Sequence, residues 1–472
     1  MASPFDPETV RAAAARLGGP TPNDEDVRAA LEGDLTLLAE RYEDCLTEPS
    51  RRIDVTPADD DFNAFRNRFE LREESGPLDL TVGIKDNLGV DGVPMACGSR
   101  ALEDAVSTRD ATAVSRLLAA GATLVGKTHM DELAYGATSE TNAFGPVRNP
   151  FDTSRIAGGS SSGSAAAVGA ELCDVALGSD TGGSVRLPAG FCGVVGFKPT
   201  WDAISREGMI DMAASFDHVG VFGQDVSTTA RTFAAVADAG ASELSPDTGP
   251  EPADAEELTL GVVTEGFGDH VTDGVSEAVR STIDDLEAAG VETRDVSIPG
   301  FTQGADIWFA ITNVEMASVV AHSGLSLGRR EEHDPAWRAA LAAALEAGEG
   351  FGETFRRKVA IGATILSEHP EWYAAAQNER AALTREFDAA LAEVDALCLP
   401  TMAETAPPIG RGAYTTEVPV AVNTRPANLA GTPGISLPAG THEGLPVGFQ
   451  LIAPRGEDDE LLSVAATVAE HC

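Results

Sequence analysis

The stretch that most constrains this chain is residues 157–188. It reads Ala-Gly-Gly-Ser-Ser-Ser-Gly-Ser-Ala-Ala-Ala from 157 and Leu-Gly-Ser-Asp-Thr-Gly-Gly-Ser-Val-Arg-Leu-Pro from 177. An ordinary core has no use for so much small, polar sequence. Glycine reaches backbone angles closed to other residues and lets a ligand approach the main chain. Two Gly-Gly-Ser triplets, 158–160 and 182–184, each set a hydroxyl beside unencumbered backbone N–H groups. Acyl transfer asks for this, a nucleophile next to an oxyanion hole. Turn chemistry alone would explain either triplet; two of them downstream of a lysine point to a reaction.

Around this stretch, apolar runs alternate as strand, helix and strand. Leu80–Ile84 reads as a strand that delivers Lys85-Asp86-Asn87 at its end. Asp110 is placed to cap a helix over 111–120, and 122–125 reads as the next strand. A helix over 165–170 precedes a strand at 174–177; further on come a strand at 258–263, a helix at 271–289 and a strand at 291–298. Residues 305–394 read as mostly helical and 396–452 as strands again. The alternation predicts an α/β fold with a central mixed, largely parallel, twisted sheet flanked by helices on both faces. Residues 8–47 carry two short apolar faces at helical spacing. They are expected to form a helical extension packing on the main body, with polar residues 48–77 as a linker. The division expected is 1–70 for extension and linker and 71–472 for the catalytic domain.

Charge narrows the function. The chain has 75 acidic and 33 basic residues, a net charge of −42. Direct nucleic-acid binding and adsorption to anionic lipid both need a basic surface, so neither is expected. Dispersed acid resembles the surfaces of proteins from salt-loving organisms, where salt screens self-repulsion; a haloarchaeal source is expected. Lysine occurs only at Lys85, Lys127, Lys198 and Lys358. Three of the four surround the Gly/Ser stretch. Lys127 and Lys198 read equally as functional groups or as buried lysines pairing an acid. The six cysteines show no metal-type spacing and read as reduced thiols. The acidic start lacks an apolar signal segment, and no run reaches membrane-spanning length. A cytoplasmic location, no membrane and no metal or other cofactor are expected.

Two motifs mislead. Gly121-Ala-Thr-Leu-Val-Gly-Lys-Thr128 fits a phosphate-binding loop letter for letter. Such a loop follows a strand and opens a helix, whereas here the middle residues read as strand and the helix comes first. Gly159-Ser-Ser-Ser-Gly163 fits the nucleophile-elbow pattern, but the preceding 149–156 is turn-like. His218, His270, His322 and His442 are candidate partners for a Ser-His-Asp arrangement, and no local signature selects one. A third reading needs no histidine: a desolvated, neutral lysine serves as the base, and Lys85 at its strand end is placed for that.

Gly83-Ile-Lys85-Asp-Asn, GGSSSGSAAAV at 158–168 and SDTGGSVRLPAGFCGVVGFKPT at 179–200 resemble the amidase signature family. So do GATLVGKTHMDEL (121–133), SFDHVGV (215–221) and NLAGTPGISLP (428–438). The resemblance runs from about Leu78 to the C-terminus. It implies the amidase-signature fold and a Ser-cisSer-Lys triad: Ser184 as nucleophile, Ser160 beside a cis peptide bond as bridge, Lys85 as base. Backbone N–H groups of Thr181, Gly182, Gly183 and Ser184 would form the oxyanion hole. Asp180, Arg186 and Ser161 would hold that machinery in place, with a purely structural ion pair open for the first two. The activity implied is hydrolysis of a carboxylic amide to acid and ammonia.

The family also includes the A subunit of the glutamyl-tRNA(Gln) amidotransferase, a glutaminase providing ammonia, and that alternative stays open. Glutamine-preferring members carry an acid a few positions before the Asn-Leu-Ala-Gly segment. Here Ala421 stands at that place, and Glu417 is the nearest acid. The N-terminal extension, Met95 and the SFDHVGV form resemble stand-alone, broad-specificity amidases. The partner expected is therefore a small-molecule amide, with a homodimer and the need for a partner subunit both left open. Arg356 or Arg357 would meet a substrate carboxylate in the alternative. Trp308, Phe309, Trp337, Trp372 and Tyr373 are candidates for the pocket wall or the core.

Overall fold

Among the described residues, twelve strands form one sheet: β1 (Thr56–Pro57), β2 (Phe65–Leu71), β3 (Thr81–Lys85), β4 (Thr123–Thr128), β5 (Val175–Asp180), β6 (Val195–Lys198), β7 (His218–Gly223), β8 (Thr259–Val263), β9 (Glu292–Val296), β10 (Ala396–Pro400), β11 (Gly434–His442) and β12 (Leu445–Ile452). Their order across the sheet is β1-β2-β4-β3-β5-β7-β6-β11-β12-β10-β8-β9. The computed structural model describes residues 5–16, 21–327, 332–411 and 420–472.

The sheet is mixed, as expected, but its parallel share is smaller. Only β3 with β4 and β5, and β8 with β9 and β10, run parallel. The rest is antiparallel, because β11 returns directly into β12 and because β7 runs back between β5 and β6. Strands β5, β7, β10 and β12 are buried along their whole length. Burial on both faces explains why they read as continuous apolar runs rather than alternations. Helices Thr112–Ala119, Val226–Val236, Asp273–Ala288 and Asp458–Ala469 bury their apolar sides in one cluster. Gly304–Ala321, Pro335–Ala347 and Pro370–Leu391 form a second around Trp308, Trp337 and Phe387.

The chain divides into two compact units, 1–48 and 49–472. The first holds helices Pro7–Arg16, Asp24–Ala29 and Leu35–Tyr42. Asn23 caps the second of these: its side chain accepts from Glu25 and Asp26 N–H, and Asp26 accepts from Asn23 N–H, each at 2.9 Å.

Two local expectations are corrected. Residues 48–77 are not a linker, since they contain β1 and β2, and β2 pairs antiparallel with β4. Phe65, Asn67 and Phe69 point inward while Arg66, Arg68 and Glu70 remain more accessible. Asp110 does not cap the helix Thr112–Ala119, which has no side-chain cap. Its carboxylate instead accepts from Arg51 at 2.7 Å and from Asp91 N–H at 2.8 Å, a pull the local sequence does not show.

The sheet sets the position of everything that follows. Parallel pairing of β3 with β5 places Ile84 opposite Leu177. Lys85 and Ser179-Asp180 therefore emerge together at the strands' C-terminal ends, where open α/β sheets form their clefts.

Candidate active site

Lys85 is fully buried. Its Nζ lies 2.8 Å from each of three hydroxyls, Ser160, Ser161 and Ser179 Oγ. Ser161 O–H donates to the Ser179 carbonyl at 3.0 Å, so its proton is committed. Ser179 Oγ also accepts from the Asn87 amide at 3.1 Å. Ser160 O–H has no such competing acceptor and is free to donate to a neutral amine. Burial pushes Lys85 down to about 7, against the opposing pull of the Asp131, Asp180 and Asp217 charges. A lysine whose close partners are three hydroxyls, with the Ser179 carbonyl farther off at 3.4 Å and no carboxylate in hydrogen-bond reach, is one whose neutral form is accessible near neutral pH.

The helix Ser162–Gly169 brings Ser160 and Ser161 here. All but its last residue are fully buried small residues, which lets it lie close to the sheet. Ser164 Oγ donates to the Leu177 carbonyl at 2.9 Å. A Cβ on Gly163 would overlap the Ala64 carbonyl. The Gly159–Ser160 peptide is cis. A Cβ on Gly159 would collide with the Asp131 carboxylate. Asp131 accepts from Thr138, Ser139 and Thr141 N–H, and its own N–H donates to the Ser160 carbonyl at 3.1 Å. It therefore ties a loop over the Ser160 peptide. Sequence reasoning missed Asp131, although its place four residues after Lys127, just beyond β4, puts it at the same end of the sheet as Lys85.

The loop 181–185 is held by its carbonyls. Trp308 Nε1 donates to Thr181 O at 2.8 Å and Thr424 Oγ1 to Gly182 O at 2.8 Å. Leu187 N–H bonds Gly183 O at 2.8 Å and Ser161 N–H bonds Ser184 O at 3.3 Å. Because each peptide is planar, fixing a carbonyl fixes the following N–H on the opposite side. From Gly182 to Val185 the N–H groups alternate as a result. Gly183 and Val185 N–H donate to Asp180 at 2.7 and 3.0 Å. Thr181, Gly182 and Ser184 N–H bond no acceptor among the described residues. Gly183 N–H thus leaves the expected oxyanion set. The φ of Gly183, +115°, is open to glycine, and a Cβ there would overlap Thr424.

Asp180 holds this loop through a buried network. Arg186 Nη2 lies 3.1 Å from Asp180 and 2.6 Å from Asn428 Oδ1; its Nη1 donates to Gln450 Oε1 at 2.7 Å and Thr424 O at 2.9 Å. Burial alone would raise Asp180; the Arg186 charge and hydrogen bonds overturn that and keep it well below the usual carboxylate range. Asp217 accepts from Thr181 Oγ1 at 2.5 Å and from Met212 and Ala213 N–H. Burial, with Asp211 nearby, pushes Asp217 up to about 7. Asn428, Gln450 and Trp308 lie far from Asp180 in the sequence; Asn428 opens the segment 428–438 and Trp308 was a candidate for the pocket wall, but no local pattern ties any of the three to Asp180 or its loop.

Ser184 opens onto a cavity of about 470 Å³ lined by Gly159, Gly182, Gly183, Tyr135, Trp308, Phe309, Arg357, Lys358 and Arg425, among others. Trp337 belongs to the core, its indole bonded to Met95 O, and Trp372 stacks on His369 at the surface. Arg357 reaches the cavity; Arg356 instead donates to Phe351 O. Ala421 lines the wall, while Glu417 lies outside the described residues. A slightly larger cavity of about 540 Å³ touches none of these serines, and its Arg51 and Asp110 already pair.

The rejected motifs stay rejected. Thr123–Thr128 is strand β4, preceded by the helix Thr112–Ala119. His218 bonds the Phe216 carbonyl and faces Lys198; His270 bonds Asn423, and His322 the Ser318 carbonyl. None of them hydrogen-bonds Ser160, Ser161 or Ser184. Lys127 and Lys198 are structural. Lys127 lies 3.8 Å from Asp86 and donates to Leu88 O, and Lys198 donates to the Pro199 and Thr432 carbonyls. Among the described residues there is no cluster of three or more potential metal ligands and no helix long and apolar enough to cross a membrane.

The family profile described as Amidase matches residues 59–462. The chain belongs to the amidase family. The glutamyl-tRNA(Gln) amidotransferase A subunit from Natronomonas pharaonis is 44% identical over 398 residues, 81% of this chain and 93% of that protein. Its counterpart in Haloarcula marismortui is 40% identical over 419 residues, 84% and 96% respectively. A crystal structure of an amidase superposes with a TM-score of 0.71 at 32% identity, covering 84% of this chain and 85% of that one. The A subunit from Thermotoga maritima gives 0.69 at 30% identity, covering 99% and 96%. Members of this family are enzymes that act on amide C–N bonds.

These relatives correct two expectations. The resemblance to stand-alone, broad-specificity amidases gives way. Its markers serve the scaffold: Met95 is core, and Asp217 of the SFDHVGV segment supports Thr181. The expected partners, a small-molecule amide with no direct nucleic-acid binding and a homodimer left open, are overturned as well. Similar chains are one subunit of an amidotransferase named for a tRNA. The charge of −42 describes this chain's own surface and says nothing of what a companion subunit carries.

Proposed function

We propose that this amidase-family chain hydrolyses a carboxylic amide through an acyl-enzyme on Ser184 and supplies the released ammonia to a partner subunit, in the role of the glutamyl-tRNA(Gln) amidotransferase A subunit. The observation that carries the chemistry is the cage of three hydroxyls around Lys85 Nζ, each at 2.8 Å. Neutral Lys85 accepts the Ser160 proton as Ser160 accepts that of Ser184. Ser184 Oγ, which has no hydrogen-bond partner among the described residues, attacks the amide carbonyl. Gly182 and Ser184 N–H receive the oxyanion, with Thr181 N–H beside them; one such donor is typically worth about 10²–10³ in rate. The proton returns through Ser160 to the leaving nitrogen, ammonia departs, and water cleaves the ester by the same relay in reverse. Asp180 and Arg186 fix the loop, and Ser161 orients the lysine. The partner role rests on the likeness to those amidotransferase chains across most of their length.

The test is ammonia release in molar KCl from glutamine and from simple amides, with and without the remaining subunits of the amidotransferase from Natronomonas pharaonis, whose A subunit this chain resembles. Ser184→Ala should abolish it, about 10⁶-fold by analogy with removal of other acyl-transfer nucleophiles. Hydroxylamine should trap the acyl group of the wild type as a hydroxamate. Release unaffected by Ser184→Ala would overturn the mechanism, and full activity with no response to a partner would overturn the subunit role.

A further inference from the structure

Asp131 is a fully buried carboxylate with no ion-pair partner among the described residues. It lies just beyond β4 and behind the wall of the Ser184 cavity rather than in it. Two glycines of that wall keep its slot open: a Cβ on Gly136 would overlap Asp131 Cγ, and a Cβ on Gly159 would overlap Oδ2. Four donors converge on the carboxylate. Oδ2 accepts from Thr138 N–H at 3.2 Å and Ser139 N–H at 3.1 Å; Oδ1 accepts from Thr141 N–H at 3.1 Å and from its hydroxyl at 2.7 Å. Three of the four are N–H groups, which only donate, so this loop is built to hold the charged form. Burial raises Asp131, and the hydrogen bonds from Thr141, Ser139 and Thr138 oppose that rise. The main-chain N–H of the same residue bonds Ser160 O at 3.1 Å, and Ser160 Oγ stands 2.8 Å from Lys85 Nζ.

We propose that Asp131 is a positioning residue of the proton relay: its main chain aims Ser160, and its carboxylate, tied down by the 138–141 loop, stabilises the ammonium that Lys85 becomes each time it takes the Ser160 proton. This rests on the reading of Lys85 as base and Ser160 as bridge. In that step the Ser160 O–H bond breaks and a Lys85 N–H bond forms, while Ser184 gives its proton to Ser160; the new charge appears on Lys85 alone. In a buried site a fixed negative charge acts far more strongly on it than in water. The groups that act on Lys85 by charge are Asp131 first, then Asp180, Asp217 and the Cys97 thiol. Asp180 is matched by Arg186. Asp217, pushed up to about 7 by burial and by Asp211, loses its charge over the range in which Lys85 gains one. Burial raises the Cys97 thiol far enough to keep it neutral. Asp131 is left as the steady charge beside the relay, and Lys358 on the cavity wall is the other cation that it acts on.

The test is the pH profile of ammonia release from glutamine, in the assay above with the remaining subunits present. Asp131→Asn keeps the volume and removes the charge. Without that charge the Lys85 ammonium is less stable, so the neutral amine persists to lower pH and is a weaker base. The midpoint of the acid limb should move down by about one pH unit, the scale of one nearby charge, and the plateau kcat should fall about tenfold with KM unchanged. Asp131→Ser is the second variant, should the first misfold: it is also uncharged, and it leaves room for a water to meet the freed N–H groups. A merely structural role would lower kcat without moving the midpoint. A midpoint unmoved in whichever variant folds, or a loss carried wholly by KM, would overturn the proposal and leave Lys85 in place as the base. A wild-type profile that does not fall below about pH 7 would remove the base reading itself, and this one with it.

Discussion

Lys85 and Lys127 stand on the adjacent parallel strands β3 and β4, where Lys127 pairs with Ile84 and Lys85 with Thr128. One residue out of step, they project to opposite faces of the sheet. Both are fully buried, and burial lowers both, Lys85 to about 7 and Lys127 to about 8. Their company differs. Lys127 has a carboxylate, Asp86, and a main-chain carbonyl; Lys85 has serine hydroxyls, which can give a proton as well as take one. A buried lysine beside an acid is held in its charged form and serves as a strut. A buried lysine among hydroxyls can exchange a proton with them, which is what the proposed mechanism asks of its base.

The sharpest way to break this comparison is to remove each amine in turn. Lys85→Met should lower kcat/KM for ammonia release by about 10²–10⁴, the usual weight of a general base, while its urea midpoint stays near that of the wild type. Lys127→Met should do the reverse. It leaves the buried Asp86 carboxylate unpaired, and losing one member of a buried pair costs about 3–5 kcal/mol, read as a lower urea midpoint with kcat retained in the folded fraction. Adding Asp86→Asn to Lys127→Met should restore part of that loss. The comparison would collapse if Lys127→Met abolished kcat in folded protein.

Smaller effects sharpen it. Protonated Lys85 has no lone pair, and protonation grows as pH falls, so kcat/KM should drop about tenfold per pH unit below about 7 and level off above it. A profile flat to pH 5 would rule out the neutral-lysine base. The same midpoint is expected in a folded Lys127→Met variant. Smallest is Trp308→Phe. It removes the donor to Thr181 O but leaves the Gly182 N–H in place, so kcat should fall about tenfold, less than the 10²–10³ of losing an oxyanion donor outright.

Much of this was readable in the chain. The Gly/Ser stretch, Lys85 at a strand end and the α/β alternation carry their signals within short windows. What escaped depends on long-range pairing. The sequence Phe-Arg-Asn-Arg-Phe-Glu-Leu at 65–71 alternates as a strand should, but it is short and sits among acids and prolines, and only its pairing with β4 makes it part of the sheet. The family resemblance places Gly183 with its neighbours among the expected oxyanion donors. That its N–H turns to Asp180 follows from carbonyls held by Trp308 and Thr424, more than a hundred residues away. Arg425 and Lys358 meet at one cavity from separate helices, and nothing in either local sequence announces it.

The confinement of all four lysines to the interior has a practical side. Among the described residues the outer surface offers no ε-amine to a reagent. Lys85, Lys127 and Lys198 are sealed, and only Lys358, half-buried on the cavity wall, can be reached. Lowered to about 7, it is also largely unprotonated at a pH where an ordinary lysine is not. Among the lysines, an acylating label applied near pH 7.5 would therefore find Lys358 first, and whatever fills the cavity would shield that mark.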